Sequence, residues 1–371
     1  MSRSTRAIID LAALRHNYAR LKELAPHSQV MAVVKADGYG HGISGVAAAL
    51  PDADAFGVAY MAEAVQLREA GISRPIILLE GVMSADEFVR AAELDLWVVV
   101  HQREQFEWLK ASHLDQPLSI WLKVDTGMHR LGVVPADVEA MLAELQQMQL
   151  SSAQRTNQAL RAAPQIEYVV MMSHLASADE PEHALTRQQR AVFAQVTRNF
   201  SGKKSLANSA GVLLGETFHH DWVRPGIMLY GCSPRADRSA ADLGLLPVMK
   251  LVAPLISIRM VAAGESVGYG GSWVAEKPTR VGIVAIGYGD GYPRHVDQNA
   301  CVVLNGVKCP LLGRVSMDML AVDLSAVEAR LGDEAELWGP SLPVETVASW
   351  ARTLNYEILC QVTDRVRREY C

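Results

Sequence analysis

The chain has 371 residues, half of them hydrophobic and a fifth charged, which leaves room for two domains, or one barrel plus an appendage, around a sizeable buried core. A formal net charge of −6 with no dense basic face argues against a nucleic-acid binder. The five cysteines form no Cys-x-x-Cys pair, no window approaches about 18 uninterrupted apolar residues, and Asp10 breaks the N-terminal apolar run. These features point to a cytoplasmic protein with reduced thiols, no membrane span and no metal site.

Strand-like and helix-like runs alternate over the first 240 residues. The predicted strands are Val30–Val34, Ala55–Ala59, Pro75–Leu79, Leu96–Val100, Ser119–Val124, Ile166–Ser173, Lys204–Asn208 and Trp222–Arg224. Helical patterns lie between them, at Met61–Ala70, Ser84–Glu93, Ala136–Met148 and Ala184–Asn199. Eight strands alternating with helices predict an α/β fold with an N-terminal (β/α)8 barrel over residues 11–240. The polar stretch 150–164 reads as a surface insertion without chemistry. After Ala240 the texture changes to strand-like segments divided by glycine and proline turns: Met249–Met260, Arg280–Ile286, Ala300–Leu304, Met319–Asp323 and Ala335–Leu337. One helix is expected there, at Val344–Leu354. Residues 241–371 thus form a mainly β C-terminal domain, which a strand from residues 1–10 is expected to join. The terminal basic run Arg365, Arg367 and Arg368 reads as a solvated tail.

Active sites of β/α barrels lie where strands end, at the C-terminal face. The chemically unusual residues fall at such places: Lys35 and Tyr39 after the first strand, Lys123 to Arg130 closing the fifth, His174 the sixth, Asn208 and Ser209 the seventh, and Arg224-Pro225-Gly226-Ile227 the eighth. Each alone also reads as a cap, a turn, a core histidine or a surface charge. Five of them on one face make a constellation. Lys35 sits at the mouth of a buried strand, where partial desolvation favours an amine able to form a Schiff base with a carbonyl; a lysine reaching to solvent fits the same position.

Ala32-Val33-Val34-Lys35-Ala36-Asp37-Gly38-Tyr39-Gly40-His41-Gly42 closely resembles the pyridoxal-phosphate lysine segment of the alanine racemases, and the resemblance extends over essentially the whole chain. It implies a pyridoxal 5'-phosphate enzyme, an isomerase that moves a proton at Cα between two bases. Lys35 would hold the cofactor and serve one face. Tyr269, in Gly264-Glu265-Ser266-Val267-Gly268-Tyr269-Gly270, would serve the other from a partner subunit, which implies a homodimer. A tyrosine of ordinary acidity is about a thousandth ionised at pH 7, a cost of about 4 kcal/mol, so positive neighbours are needed, and the Arg224–His174 pair is the expected source.

By the same resemblance Tyr39, Ser209, Gly226, Ile227 and Tyr356 hold the cofactor phosphate, with Asn208 beside them. Ser209 can donate a hydroxyl while capping the next helix, and Gly226 lets the backbone approach closely. Arg224 would face the pyridine nitrogen; an arginine there donates a hydrogen bond and leaves that nitrogen neutral, weakening the ring as an electron sink and disfavouring side reactions. His174 would bond Arg224 and the catalytic tyrosine. Arg130 and the Met317 amide would meet the substrate carboxylate. Lys123 matches a lysine often carried as a carbamate, Asp318 a supporting acid, and Tyr288, Asp179 and Arg294 an entry corridor. Ser316 and Ser205 depart from the cysteine and histidine of some relatives.

The expected activity is interconversion of L- and D-alanine, serving peptidoglycan or alanine catabolism. Decarboxylases of basic amino acids share the architecture, but Tyr39 and Tyr356 would crowd a long substrate. A serine or broader-specificity racemase and a non-catalytic cofactor carrier are the remaining alternatives; a carrier needs no second base such as Tyr269.

Overall fold

The structure, a computed structural model, describes residues 4–149 and 165–371; the predicted insertion 150–164 falls outside them. Strand β1 (Arg6–Ile9) leads into a helix over Leu11–Leu24, whose first turn is capped by Asp10 accepting from the Ala13 amide at 2.8 Å. Eight parallel strands then close a barrel: β2 (Gln29–Val33), β3 (Ala55–Val58), β4 (Ile76–Leu78), β5 (Leu96–Val100), β6 (Leu118–Lys123), β7 (Ile166–Met172), β8 (Lys204–Asn208) and β9 (Trp222–Arg224). Buried on both faces, these strands are near-continuous apolar runs rather than alternating ones. Met31, Ile77, Val99, Trp121, Met172 and Trp222 fill the barrel interior, with Trp97 stacked on Trp121 at 5.8 Å. The barrel is thus a packed core whose chemistry is confined to its ends.

The C-terminal domain is built from β10 (Met249–Val261), the short hairpin β11 (Ser266–Val267) and β12 (Trp273–Val274), β13 (Thr279–Val284), β14 (Cys301–Leu304), β15 (Val307–Leu312), β16 (Leu320–Asp323), β17 (Glu334–Trp338) and β18 (Arg367–Tyr370). Its eight-stranded sheet runs β13-β16-β15-β14-β17-β10-β1-β18. The long β10 pairs β17 with its first half and β13 with its second, which curls the sheet onto itself.

Two sequence expectations give way here. The basic terminus is not a solvated tail: Arg367–Tyr370 is β18, parallel to β1, and Arg368 donates to the carbonyls of Gly40, Val362, Thr363 and Val366. Arg368 satisfies backbone acceptors and Arg367 pairs with Glu369, uses that hydropathy does not register. The predicted helix Val344–Leu354 stops at Ala351, where Arg352 turns left-handed, and a second helix, Asn355–Cys360, follows. Among the described residues no helix is long and apolar enough to cross a membrane.

Candidate active site

The turn after β2 is left-handed. Ala36, Asp37, Gly38, Tyr39 and Gly40 all have φ between 52° and 78°. Each non-glycine residue in this conformation costs about 1–2 kcal/mol, so the turn persists only because its surroundings hold it. Glu63 accepts from the Ala36 and Ala59 amides at 2.7 Å each, and Asp37 accepts from the Ile43 amide at 2.9 Å. Tyr370 of β18 donates to the His41 carbonyl at 3.2 Å. At Gly40 a Cβ would lie 2.2 Å from the Leu359 carbonyl oxygen, so the helix Asn355–Cys360 can press directly on the turn. The β domain thereby braces the segment that carries Lys35.

Lys35 itself points to the mouth of the barrel, its side chain 38% exposed and its Nζ 4.0 Å from Glu80 Oε1. Beside it stands a group of cations. Lys123 is buried, and burial, followed by the charges of Arg224, Arg130 and Lys35, pushes its amine down to about 8. Arg224 is buried too, and desolvation pulls its guanidinium down to about 10, still a cation at neutral pH. It donates from Nη1 to Ser205 Oγ at 2.5 Å and from Nη2 to the carbonyls of Ser173 at 2.6 Å and Leu206 at 3.3 Å. Its Nη2 also lies 3.4 Å from Nδ1 of His174. Desolvation, then the charges of Arg224, Lys123, Arg130 and Lys35, holds His174 well below the usual imidazole range. The residue keeps some contact with solvent, but four cations around it make a further positive charge unfavourable. A neutral imidazole that accepts at Nδ1 carries its proton on Nε2 and can donate there.

Opposite the cations, hydroxyls and backbone form a cradle. Asn208 caps the short turn after β8 by accepting from the Gly211 amide at 2.9 Å, and Ser209 Oγ accepts from the Gly226 amide at 2.9 Å. The Tyr39 ring stacks on Tyr230 with centroids 4.7 Å apart and stands 6.1 Å from Tyr356. Burial raises both the Tyr39 and the Tyr356 phenol above the ordinary tyrosine range, so both are neutral donors. At Gly226 a Cβ would come within 2.2 Å of the Tyr39 hydroxyl. Ile227 is wholly buried at the start of the next tight turn. A cradle of hydroxyls and turn backbone suits a phosphate. A cavity of about 1000 Å3 opens beside it, lined by His174, Asp179, Asn208, Tyr356 and Leu359 among others.

The remaining predicted residues gather elsewhere, on the β domain. Tyr269 lies in the turn of the β11–β12 hairpin and is 69% exposed; Met317 is 52% exposed and Tyr288 is exposed as well. The Tyr288 and Gly289 amides donate to the carbonyls of Ser316 at 3.0 Å and Met317 at 2.8 Å, so both segments form one unit. A Cβ at Gly313 would lie 2.7 Å from the Val267 carbonyl oxygen, which docks the hairpin against that unit. Asp318 pairs with Arg365 at 2.5 Å. Arg294 is exposed on this domain, whereas Asp179 lines the barrel-side cavity. The predicted site residues therefore fall in two groups: Lys35, Tyr39, Lys123, Arg130, His174, Asn208, Ser209, Arg224, Gly226, Ile227 and Tyr356 on the barrel side, and Tyr269, Tyr288, Met317 and Asp318 on the β domain. The Arg224–His174 pair expected to sit by Tyr269 belongs to the other group.

Sequence reasoning missed Glu80 and the Ser173 carbonyl on Arg224, and named Ser205 only as a departure from the histidine of some relatives. Glu80 ends the run that forms β4, the same strand-end position that singled out Lys35 and His174. Ser173 carried no signal, because it meets Arg224 through its backbone carbonyl.

The family model for the alanine racemase N-terminal domain matches residues 9–234, and that for the C-terminal domain matches residues 248–370. The biosynthetic alanine racemase of Pseudomonas aeruginosa is 50% identical over 366 residues, and that of Escherichia coli 46% over 365, each alignment covering 98% of both chains. The crystal structure of the P. aeruginosa biosynthetic alanine racemase superposes with a TM-score of 0.90 at 49% identity, covering 100% of each chain. That of alanine racemase from Bartonella henselae, described with covalently bound pyridoxal phosphate, superposes with a TM-score of 0.84 at 31% identity, covering 99% of each.

Proposed function

The chain belongs to the alanine racemase family and is an isomerase that interconverts L- and D-alanine; we propose that it does so with pyridoxal 5'-phosphate held at the barrel mouth and with a second base supplied by another copy of the chain. The observation that carries this reading is the pairing of the Lys35 amine with a cradle of hydroxyls and turn amides on one barrel face. Tyr39, Ser209, Tyr356 and the backbone at Gly226 and Ile227 would hold the phosphate, Asn208 would keep Ser209 in place, and Lys35 would hold the carbonyl end. When bound, the group supplies the electron sink that makes the Cα proton of an amino acid acidic. Arg224, still charged and fixed by four hydrogen-bond partners, would donate to the ring nitrogen without giving up its own proton.

The chain's own residues then manage the proton. The free Lys35 amine takes or returns the Cα proton on one face. The second base must stand on the opposite face, and Tyr269 fits that part when presented by a second copy. His174 offers an Nε2–H to its phenolate from a neutral imidazole, and the Arg224 cation behind it supplies the positive charge a tyrosine base requires. After each turnover the two bases have exchanged protonation states, so the enzyme is ready for the mirror-image substrate. Arg130 and the Met317 amide would fix the substrate carboxylate, with Lys123 and Asp318 supporting them.

Two features support a homodimer. Tyr269, the second base proposed here, does not stand with Lys35 at the barrel mouth, and the β domain displays Tyr269, Tyr288 and Met317 exposed, where a second copy can meet them. Relatives named biosynthetic favour a role in supplying D-alanine; peptidoglycan is the use and the cytoplasm the compartment we propose for it.

The test is chiral chromatography after incubating the purified protein with pyridoxal phosphate and L-alanine, L-serine or L-lysine. D-alanine approaching half of the total, with little turnover of the other two, is the expected result. Loss of amino acid without appearance of its mirror image would replace racemisation by decarboxylation, and binding of the cofactor without turnover would leave a carrier.

A further inference from the structure

The barrel mouth concentrates positive charge from Lys35, Lys123, Arg130 and Arg224, and Glu80 is the carboxylate set against it. Neighbouring acids are committed to backbone: Glu63 to the Ala36 and Ala59 amides, Asp37 to Ile43, Asp125 to Gly127 and His129. Glu80 instead turns its carboxylate to Lys35, with Oε1 4.0 Å from Nζ. Its charge raises the exposed Tyr60 phenol, which also meets its carboxylate in a side-chain hydrogen bond, and is felt at Lys123.

The backbone bearing Glu80 is fixed with unusual care. Buried His101 donates from Nε2 to the Glu80 carbonyl at 3.2 Å. Buried Gln105 donates to the Val82 carbonyl at 3.0 Å and accepts from the His101 amide at 3.0 Å. Between them Gly81 is left-handed, and a Cβ there would strike the Val99 carbonyl oxygen at 2.4 Å. Two buried polar side chains thus hold one loop, and what that loop presents to the site is Glu80.

We propose that Glu80 is a positioning residue: its carboxylate tethers the Lys35 amine at the barrel mouth, facing the substrate Cα, whenever that amine is not bonded to the cofactor. The inference rests on Lys35 being one of the two bases. At 4.0 Å the contact is attraction between charges rather than a hydrogen bond, so it limits where the amine wanders without locking it. A released lysine otherwise loses its anchor and samples many rotamers, which works against a near-attack geometry.

The test compares Glu80→Gln and Glu80→Asp with the parent, all full-length. In chains freed of cofactor and checked for fold by circular dichroism, reductive methylation followed by peptide mapping reads the reactivity of each lysine. Glu80→Gln is expected to raise labelling of Lys35 roughly three- to fivefold, the scale of a partly exposed ion pair, with other lysines unchanged and Glu80→Asp close to the parent. In loaded enzyme, Glu80→Gln is expected to lower kcat roughly tenfold with KM within about twofold, and Glu80→Asp to recover part of the loss. Unchanged Lys35 labelling, a rise shared by all lysines, or faster labelling with unaltered kcat would each overturn the proposal. Borohydride fixing the cofactor to a lysine other than Lys35 would instead remove the reading on which it rests.

Discussion

The Tyr39 hydroxyl fills the space a Cβ on Gly226 would need, 2.2 Å from that position. The loops that follow β2 and β9, neighbouring strands at the barrel's seam, meet there without a spare atom. Tyr39 cannot retreat, because its ring is stacked on Tyr230 and faces Tyr356. Gly226→Ala should therefore displace the hydroxyl and weaken pyridoxal phosphate binding about tenfold, roughly 1.4 kcal/mol, with little effect on melting temperature. Cofactor titration of the cofactor-free chain measures it, and unchanged affinity would remove Tyr39 and Gly226 from the phosphate cradle.

Removing Tyr269 should separate the two faces of the reaction. The equilibrium constant ties the two kcat/KM values together, so the asymmetry appears in isotope exchange. In deuterated water Tyr269→Phe is expected to exchange the α-proton of one enantiomer without inverting it, while exchange from the other falls by about a hundredfold or more. Mixed Lys35→Ala and Tyr269→Phe subunits should regain one intact site per heterodimer. Equal, modest losses for both enantiomers, or no recovery after confirmed subunit exchange, would refute a second base shared between subunits.

His41 makes stability depend on pH. It is fully buried, its Nδ1 donates to the carbonyls of Gly38 at 3.0 Å and Tyr39 at 2.8 Å, and desolvation pushes it down to about 4. The unfolded chain binds this proton from about pH 6.5 downward and the native chain only near pH 4. Between those values the unfolded state holds more protons, so stability rises with pH through the window and is fully present above it. Acidification from pH 6.5 to 4 should remove about 3 kcal/mol through this group. Denaturant unfolding at several pH values checks it, and His41→Phe should flatten that part of the profile.

Lys123 is an amine prepared for carbon dioxide. With its amine at about 8, roughly a tenth is neutral at pH 7 and half at pH 8, and its neighbours Arg130 and Arg224 would welcome an anion. In 13C-bicarbonate the parent protein should show a carbamate carbon resonance that Lys123→Gln lacks. If the resonance persists in the variant, the modification belongs to another lysine.

The barrel was legible because parallel strands buried on both faces must be apolar throughout, and β5, β8 and β9 begin and end where the sequence places them. The strand-end residues could be singled out because a charged group at the end of an apolar run has few structural uses. The left-handed turn at Ala36–Gly40 was only half legible: glycine and aspartate tolerate that conformation, but alanine and tyrosine do not favour it, and Glu63, the Asp37 side chain, Leu359 and β18 hold them there. β18 was hidden because Arg367, Arg368 and Glu369 give it no apolar run, and Arg368 serves backbone carbonyls. Glu80 was overlooked although it obeys the rule that found Lys35.

By itself the sequence determined the succession of elements and the chemistry available at each strand end, since both follow from local hydrophobic pattern and residue type. Only the tertiary structure decided which of those groups meet. Folding gathers Lys35, Arg224, His174 and the phosphate cradle on one barrel face, and it leaves Tyr269 and Met317 exposed on another domain, because proximity between distant residues is fixed by packing and not by spacing along the chain.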